Sequence, residues 1–137
     1  MLMENRVHRC GIYWTEFKGD GIGCVQSGIR PALVVSNELN NEHSNVVTCI
    51  PLTSRRKAMY LPVHVMIRRD ACRNGNLIRN SVALVEQITT VDISQVRELI
   101  TDVTDKKTMV QIVSAIMIQV GEELLTDVGK YFRYGSK

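Results

Sequence analysis

An arginine directly before a proline is the first feature of this sequence that could do chemistry. In Gly28-Ile29-Arg30-Pro31 the proline ring pushes Arg30 to an extended backbone, and Gly28 permits a tight turn just before it. Arg30 is then held at a loop-to-strand junction, not on a free loop tip. Its guanidinium is always charged, and its N–H fork matches phosphate oxygens two at a time. A structural salt bridge would use the same residue, and on these four positions alone that reading has the edge. The second feature is Thr53-Ser54, a pair of hydroxyls at the end of an apolar run and just before Arg55-Arg56-Lys57. Hydroxyls beside a basic run can hold a phosphate oxygen, although at strand ends they more often satisfy turns. The third is Glu86-Gln87, which closes the run Val82-Ala83-Leu84-Val85 and sets a carboxylate against either a cleft or solvent.

The remaining reactive side chains form no constellation. His8, His43 and His64 have no nucleophile at a diagnostic spacing, and His64 alternates with Val63 and Val65 as a structural histidine does. Cys10, Cys24, Cys49 and Cys72 include no CxxC pair, so reduced thiols are expected in place of disulfides or a zinc site. No cluster has metal-ligand spacing, and neither a metal nor another cofactor is expected. Net charge is only +3, too small to mark a nucleic-acid binder, but its distribution is uneven. Positions 55–79 carry seven basic residues (Arg55, Arg56, Lys57, Arg68, Arg69, Arg73, Arg79) against Asp70, while 98–127 carry six acids against Lys106 and Lys107. A basic middle fits a polyanionic partner as well as it fits a solvated face.

These residues need elements to position them. Hydrophobic residues make up 45% of 137 and charged residues 23%, an ordinary globular balance and a one-domain length. The expected organisation is a domain over 1–121 with 122–137 as its C-terminal extension. Positions 1–10 carry Glu4, Arg6, His8 and Arg9 and no apolar stretch of signal-peptide type, and no run reaches transmembrane length; a cytoplasmic protein is expected. The first three quarters read as short strands and turns. Strands are expected at 11–17, 31–36, 46–53, 61–67 and 81–88, with a Gly-rich loop over 18–29 and a polar connection over 37–45. Pro31 suits the first residue of its strand, and Pro51 implies a bulge or an edge. Only the last third has a helical period: Met109, Ile112, Val113, Ile116, Met117 and Val120 mark one apolar face, as core or dimer surface. Thr104 or Asp105 can cap that helix and Gly121 can end it. The fold class is mainly β with a C-terminal helix (α+β), around a small, strongly curved antiparallel sheet.

Four ordered blocks then carry a resemblance. Gly28-Ile29-Arg30-Pro31-Ala32-Leu33-Val34-Val35-Ser36-Asn37 resembles the G-x-R-P-x-hydrophobic signature of MazF/PemK (Kid) toxins. The likeness continues in Val47-Thr48-Cys49-Ile50-Pro51-Leu52-Thr53-Ser54, in Leu61-Pro62-Val63-His64-Val65, and from Ser81 through Glu86-Gln87 to Asp92. It implies an SH3-like small barrel of the MazF/PemK/CcdB type and a homodimeric endoribonuclease toxin acting on single-stranded RNA without metal. It also implies a small acidic antitoxin of MazE type as partner. It puts the family's essential arginine on Arg30 and its essential hydroxyl on Thr53. RNA contacts are expected from Gln26, Ser27, Ser54, Arg55, Arg56, Lys57, Glu86 and Gln87, with Glu86 or water as the base. The sequence departs from the family pattern at Arg9-Cys10-Gly11 and Gly23-Cys24-Val25-Gln26, which lack the usual acids. Two rivals stand beside this reading. A gyrase-binding toxin of CcdB type would end in Trp-Gly-Ile, where this sequence reads Tyr134-Gly135-Ser136-Lys137. A non-catalytic SH3-like module would use the basic face for binding alone.

Overall fold

The computed structural model describes residues 7–19, 27–54, 62–75 and 77–121. Seven strands and two helices follow one another as β1 (Gly11–Phe17), β2 (Gly28–Val34), α1 (Glu38–His43), β3 (Val46–Thr53), β4 (His64–Ile67), β5 (Ser81–Leu84), β6 (Thr89–Asp92), β7 (Val96–Asp102) and α2 (Lys106–Gln119). The strands form one antiparallel, barrel-like sheet in the order β4-β5-β3-β2-β1-β7, with β6 also paired to β3. It is not strictly closed.

β3 organises the curvature because it changes partner along its length. Val46 to Cys49 face β6, whereas Leu52 and Thr53 face β5. Pro51, with no N–H to give to a ladder, sits where the exchange occurs. The interruption expected at Pro51 is therefore the point where β3 leaves one neighbour for another. β2 begins earlier than its proline: Pro31 lies inside the strand, opposite Trp14 of β1. This corrects the assignment of Pro31 to the strand's first residue. Pairing with β3 starts only at Ala32, so the missing N–H costs no rung on that side.

Alternation along the strands fills two apolar layers. Ile12, Leu33, Ile50 and Leu52 join Ile67, Val85 and Ile112 in one core cluster, and Tyr13, Ala32, Val34, Val47 and Cys49 join Phe17 and Val91 in another. Both faces of β2 are thus covered at Ala32, Leu33 and Val34, which explains a continuous apolar run where a one-sided strand would alternate. Cys49 and Cys72 share this burial, and Cys10 is half-buried. Cys10, Cys49 and Cys72 are free, and burial pushes the Cys49 thiol up to about 12 and the Cys72 thiol up to about 11.

α2 matches its sequence signals closely. Asp105 is the N-cap, its side chain accepting from the Thr108 N–H at 3.1 Å, and Gly121 follows the helix with φ of 97°. The apolar stripe is split. Met109 and Ile112 are buried with Ala115 and Ile116 is half-buried, but Val113, Met117 and Val120 stay exposed. The curved sheet covers a narrower arc of the helix than the six apolar positions span. The polar connection expected at 37–45 contains α1, started by Asn37, whose Oδ1 accepts from the Asn40 N–H at 2.8 Å. Two strands are shorter than expected. β4 begins at His64, and β5 gives way at Val85 to a 3-10 turn, Val85–Gln87.

A polar network ties β7 to the segment before β1. His8 Nε2 meets Asp102 Oδ1 at 2.5 Å, its Nδ1 meets the Tyr13 hydroxyl at 3.0 Å, and Arg73 Nε donates to Asp102 Oδ2 at 3.0 Å. Burial alone would raise the Asp102 pKa, but the hydrogen bonds from His8 and Arg73 outweigh it and hold the carboxyl below its ordinary range. Among the described residues no helix is long and apolar enough to cross a membrane.

Candidate active site

Arg30 owes its place to three neighbours. Gly28 has φ of 81°, in the left-handed region that side chains with a Cβ rarely adopt, and among the described residues nothing would crowd a Cβ there, so the demand for glycine is conformational. Pro31 keeps Arg30 extended. The Ser27 carbonyl accepts from Arg30 Nε at 2.9 Å. The guanidinium is thereby oriented through one N–H, and among the described residues its other donors take no partner and no carboxylate pairs with it. Among the described residues, then, a backbone carbonyl and not a salt bridge orients Arg30.

Thr53 reaches the same place from β3. Antiparallel pairs run Val34 with Cys49, Leu33 with Ile50 and Ala32 with Pro51, and continuing that register sets Arg30 abreast of Thr53. Both side chains are half-buried and line one cleft of about 290 Å³. Its other polar walls are Ser54, Ser81 and Arg79. Its apolar walls are Trp14, Pro31, Leu52, Leu77, Ile78 and Ile100. Among the described residues two guanidiniums and no carboxylate line it, so that lining attracts anions. Ser27 stands at its edge through the bond to Arg30.

Glu86 and Gln87 lie elsewhere. They sit on the Val85–Gln87 turn and line a separate depression of about 440 Å³ with Lys18, Pro51, Thr89 and Gln95. The Glu86 carboxylate is engaged by His64 Nε2, at 3.1 Å to Oε1 and 3.2 Å to Oε2. His64 is buried and serves as the structural partner its strand position implied. The structure thus brings Arg30, Thr53 and Ser54 together and does not bring Glu86 or Gln87 into their cleft. Gln26, Arg55, Arg56 and Lys57 lie outside the described residues, as does 122–137. Trp14, Ile78 and Arg79 were not singled out by their spacing in the sequence, because Trp14 comes to the cleft from β1 and Ile78 and Arg79 from the loop before β5. Among the described residues no group of three or more His, Cys, Asp or Glu side chains could hold a metal ion.

A barrel-like sheet with a C-terminal helix and an Arg–Thr cleft at the β2–β3 junction defines a class. Residues 8–120 match the PemK-like, MazF-like toxins of type II toxin-antitoxin systems, and the chain belongs to that family. An Endoribonuclease MazF of Staphylococcus saprophyticus is 35% identical over 99 residues, covering 72% of this chain and 79% of the relative. Among solved structures, MazF from Deinococcus radiodurans shares the fold with a TM-score of 0.68 at 21% identity, over 85% of this chain and 97% of that one. An endoribonuclease from Mycobacterial species in complex with its cognate antitoxin has a TM-score of 0.63 at 23% identity, over 84% and 95%.

Proposed function

We propose that this toxin is an endoribonuclease that cuts single-stranded RNA by attack of the RNA's own 2′-hydroxyl, with no metal. The observation that carries this is the pairing of Arg30 and Thr53 in one cleft that no carboxylate lines among the described residues. The 2′-oxygen bonds to phosphorus, the bond from phosphorus to the 5′-oxygen breaks, and the products are a 2′,3′-cyclic phosphate and a 5′-hydroxyl. Negative charge grows on the non-bridging oxygens during attack. Arg30, oriented by the Ser27 carbonyl, and the Thr53 hydroxyl stabilise it, and Ser54 helps hold the strand in line. Arginine scarcely loses its proton, so its role is electrostatic. Solvent water takes the 2′-proton and gives one to the 5′-oxygen as it leaves, so protons balance over the step. Glu86, with its carboxylate on His64, serves the neighbouring depression with Gln87 as a strand-binding surface. Gln26, Arg55, Arg56 and Lys57 add contacts to RNA.

The working form is a cytoplasmic homodimer restrained by an acidic antitoxin. Exposed Val110, Val113 and Met117 on α2, with Val120 at its C-cap, supply apolar surface for a second copy. The related endoribonuclease solved with its cognate antitoxin supports the second partner. An anion-attracting cleft would take acidic segments as it takes RNA. The test is cleavage of single-stranded RNA in EDTA by the purified chain and by Arg30→Ala and Thr53→Ala. Full activity in either folded variant rejects the assignment.

A further inference from the structure

We infer that Arg79 is a second phosphate-binding residue of this cleft, holding the backbone of a nucleotide next to the one that Arg30 addresses. The inference rests on the nuclease reading above and extends it to a residue outside the Arg–Thr pair.

The loop that carries Arg79 is held on both sides, while its side chain takes no partner among the described residues. Leu77 is buried in the main core cluster. Its carbonyl accepts from Arg69 Nε at 2.8 Å, and Asn80 Oδ1 accepts from the Arg69 N–H at 2.8 Å. The Ser81 hydroxyl donates to the Arg79 carbonyl at 3.0 Å. Arg69 thereby braces the loop through its backbone N–H and Nε. Arg79 is exposed, and among the described residues no carboxylate pairs with it. Like-charged guanidiniums in one small cleft repel each other, and a polyanion threaded past both relieves that repulsion. Its neighbour Ile78 lines the same cleft and is 68% exposed, an apolar face that an unstacked base can cover. A backbone held by hydrogen bonds, a fork with no partner among the described residues and an adjoining apolar platform suit a contact that sets the register of a strand.

The test uses the full chain and an RNA that it cleaves, resynthesised with a 2′-deoxyribose at the cut so that binding is read without turnover. Affinity is measured across a salt series for wild type, Arg79→Gln and Arg79→Lys. Loss of one phosphate contact flattens the log-affinity against log-salt slope by about 0.7 for a single strand. Arg79→Gln should show that flattening, with binding weakened about tenfold at low salt. Arg79→Lys should keep the slope while losing part of the affinity, since an ammonium holds phosphate as a point charge without the fork. In cleavage, Arg79→Gln should act mainly on KM, whereas Arg30→Ala acts mainly on kcat. An Arg79→Gln protein with unchanged slope and affinity overturns the inference, and leaves the nuclease reading standing if wild type cuts and Arg30→Ala does not. A wild-type chain that cuts no RNA rejects that reading separately. The salt slope on an uncut RNA pool then still decides whether Arg79 meets phosphate.

Discussion

Replacing Gly28 by alanine separates the positioning of Arg30 from its chemistry. Gly28 holds φ at 81°, and a Cβ there would meet no atom within 4 Å among the described residues beyond its chain neighbours. No steric term adds to the backbone cost, which is about 1–2 kcal/mol for a non-glycine residue in the left-handed region. Alanine also restricts the unfolded chain, which offsets part of that by roughly 0.4–1 kcal/mol. The net loss is about 1 kcal/mol, or roughly 3–5 °C in Tm for a domain of this size. A chain with ordinary stability stays almost wholly folded after such a loss. Activity should fall much further, because relaxing φ at 28 shifts the Ser27–Arg30 hydrogen bond, and a misplacement of about 1 Å can cost about 100-fold in rate. Asparagine tolerates the left-handed region, so Gly28→Asn should recover most of both quantities. Urea denaturation supplies the stability and single-turnover cleavage the rate. If Gly28→Ala keeps wild-type stability and rate, the argument that this φ positions Arg30 is wrong.

Further predictions follow from the packing and the polar network. Ile112 is fully buried where α2 meets the sheet, so Ile112→Ala should cost about 2–5 kcal/mol by denaturant midpoint; a loss under about 1 kcal/mol would mean that α2 is not docked as described. Asp102→Asn should destabilise the chain by about 2 kcal/mol near neutral pH, since two hydrogen bonds to a charged carboxylate are weakened. The folded pKa of Asp102 lies below its unfolded value, so this stabilisation is present above about pH 3.9 and disappears as pH falls through the folded value. Wild type and Asp102→Asn should therefore converge in acid, and a gap that persists there would contradict the assigned network.

What the sequence made legible was local. Asp105, the period through Met109 and Ile112, and Gly121 bound α2 with no help from the rest of the chain. The Arg-Pro junction and the hydroxyl at the strand end marked Arg30 and Thr53, but their meeting depends on the β2–β3 register, which is a long-range property. The edges of strands were less legible. β2 starts before Pro31 because β1 alone flanks its first residues, and β5 stops at Leu84 although the apolar run continues into Val85. A turn there carries Glu86 away from the Arg30 cleft and onto His64, which the spacing of Glu86 and Gln87 behind an apolar run could not reveal. Arg79 was visible only as one of seven basic residues. The loop held by Arg69 is what distinguishes it from its neighbours.

The central claim is that Arg30 and Thr53 form a metal-independent ribonuclease centre, and one measurement bears on it most directly. Single-stranded RNA is incubated with purified wild type, Arg30→Ala and Thr53→Ala in excess EDTA, and the new ends are identified chemically. The account predicts cleavage by wild type alone, with 2′,3′-cyclic phosphate and 5′-hydroxyl ends, while both variants stay folded with stability within roughly 1 kcal/mol of wild type. Cleavage that stops in EDTA and returns with magnesium, or undiminished cleavage by either variant, would contradict it.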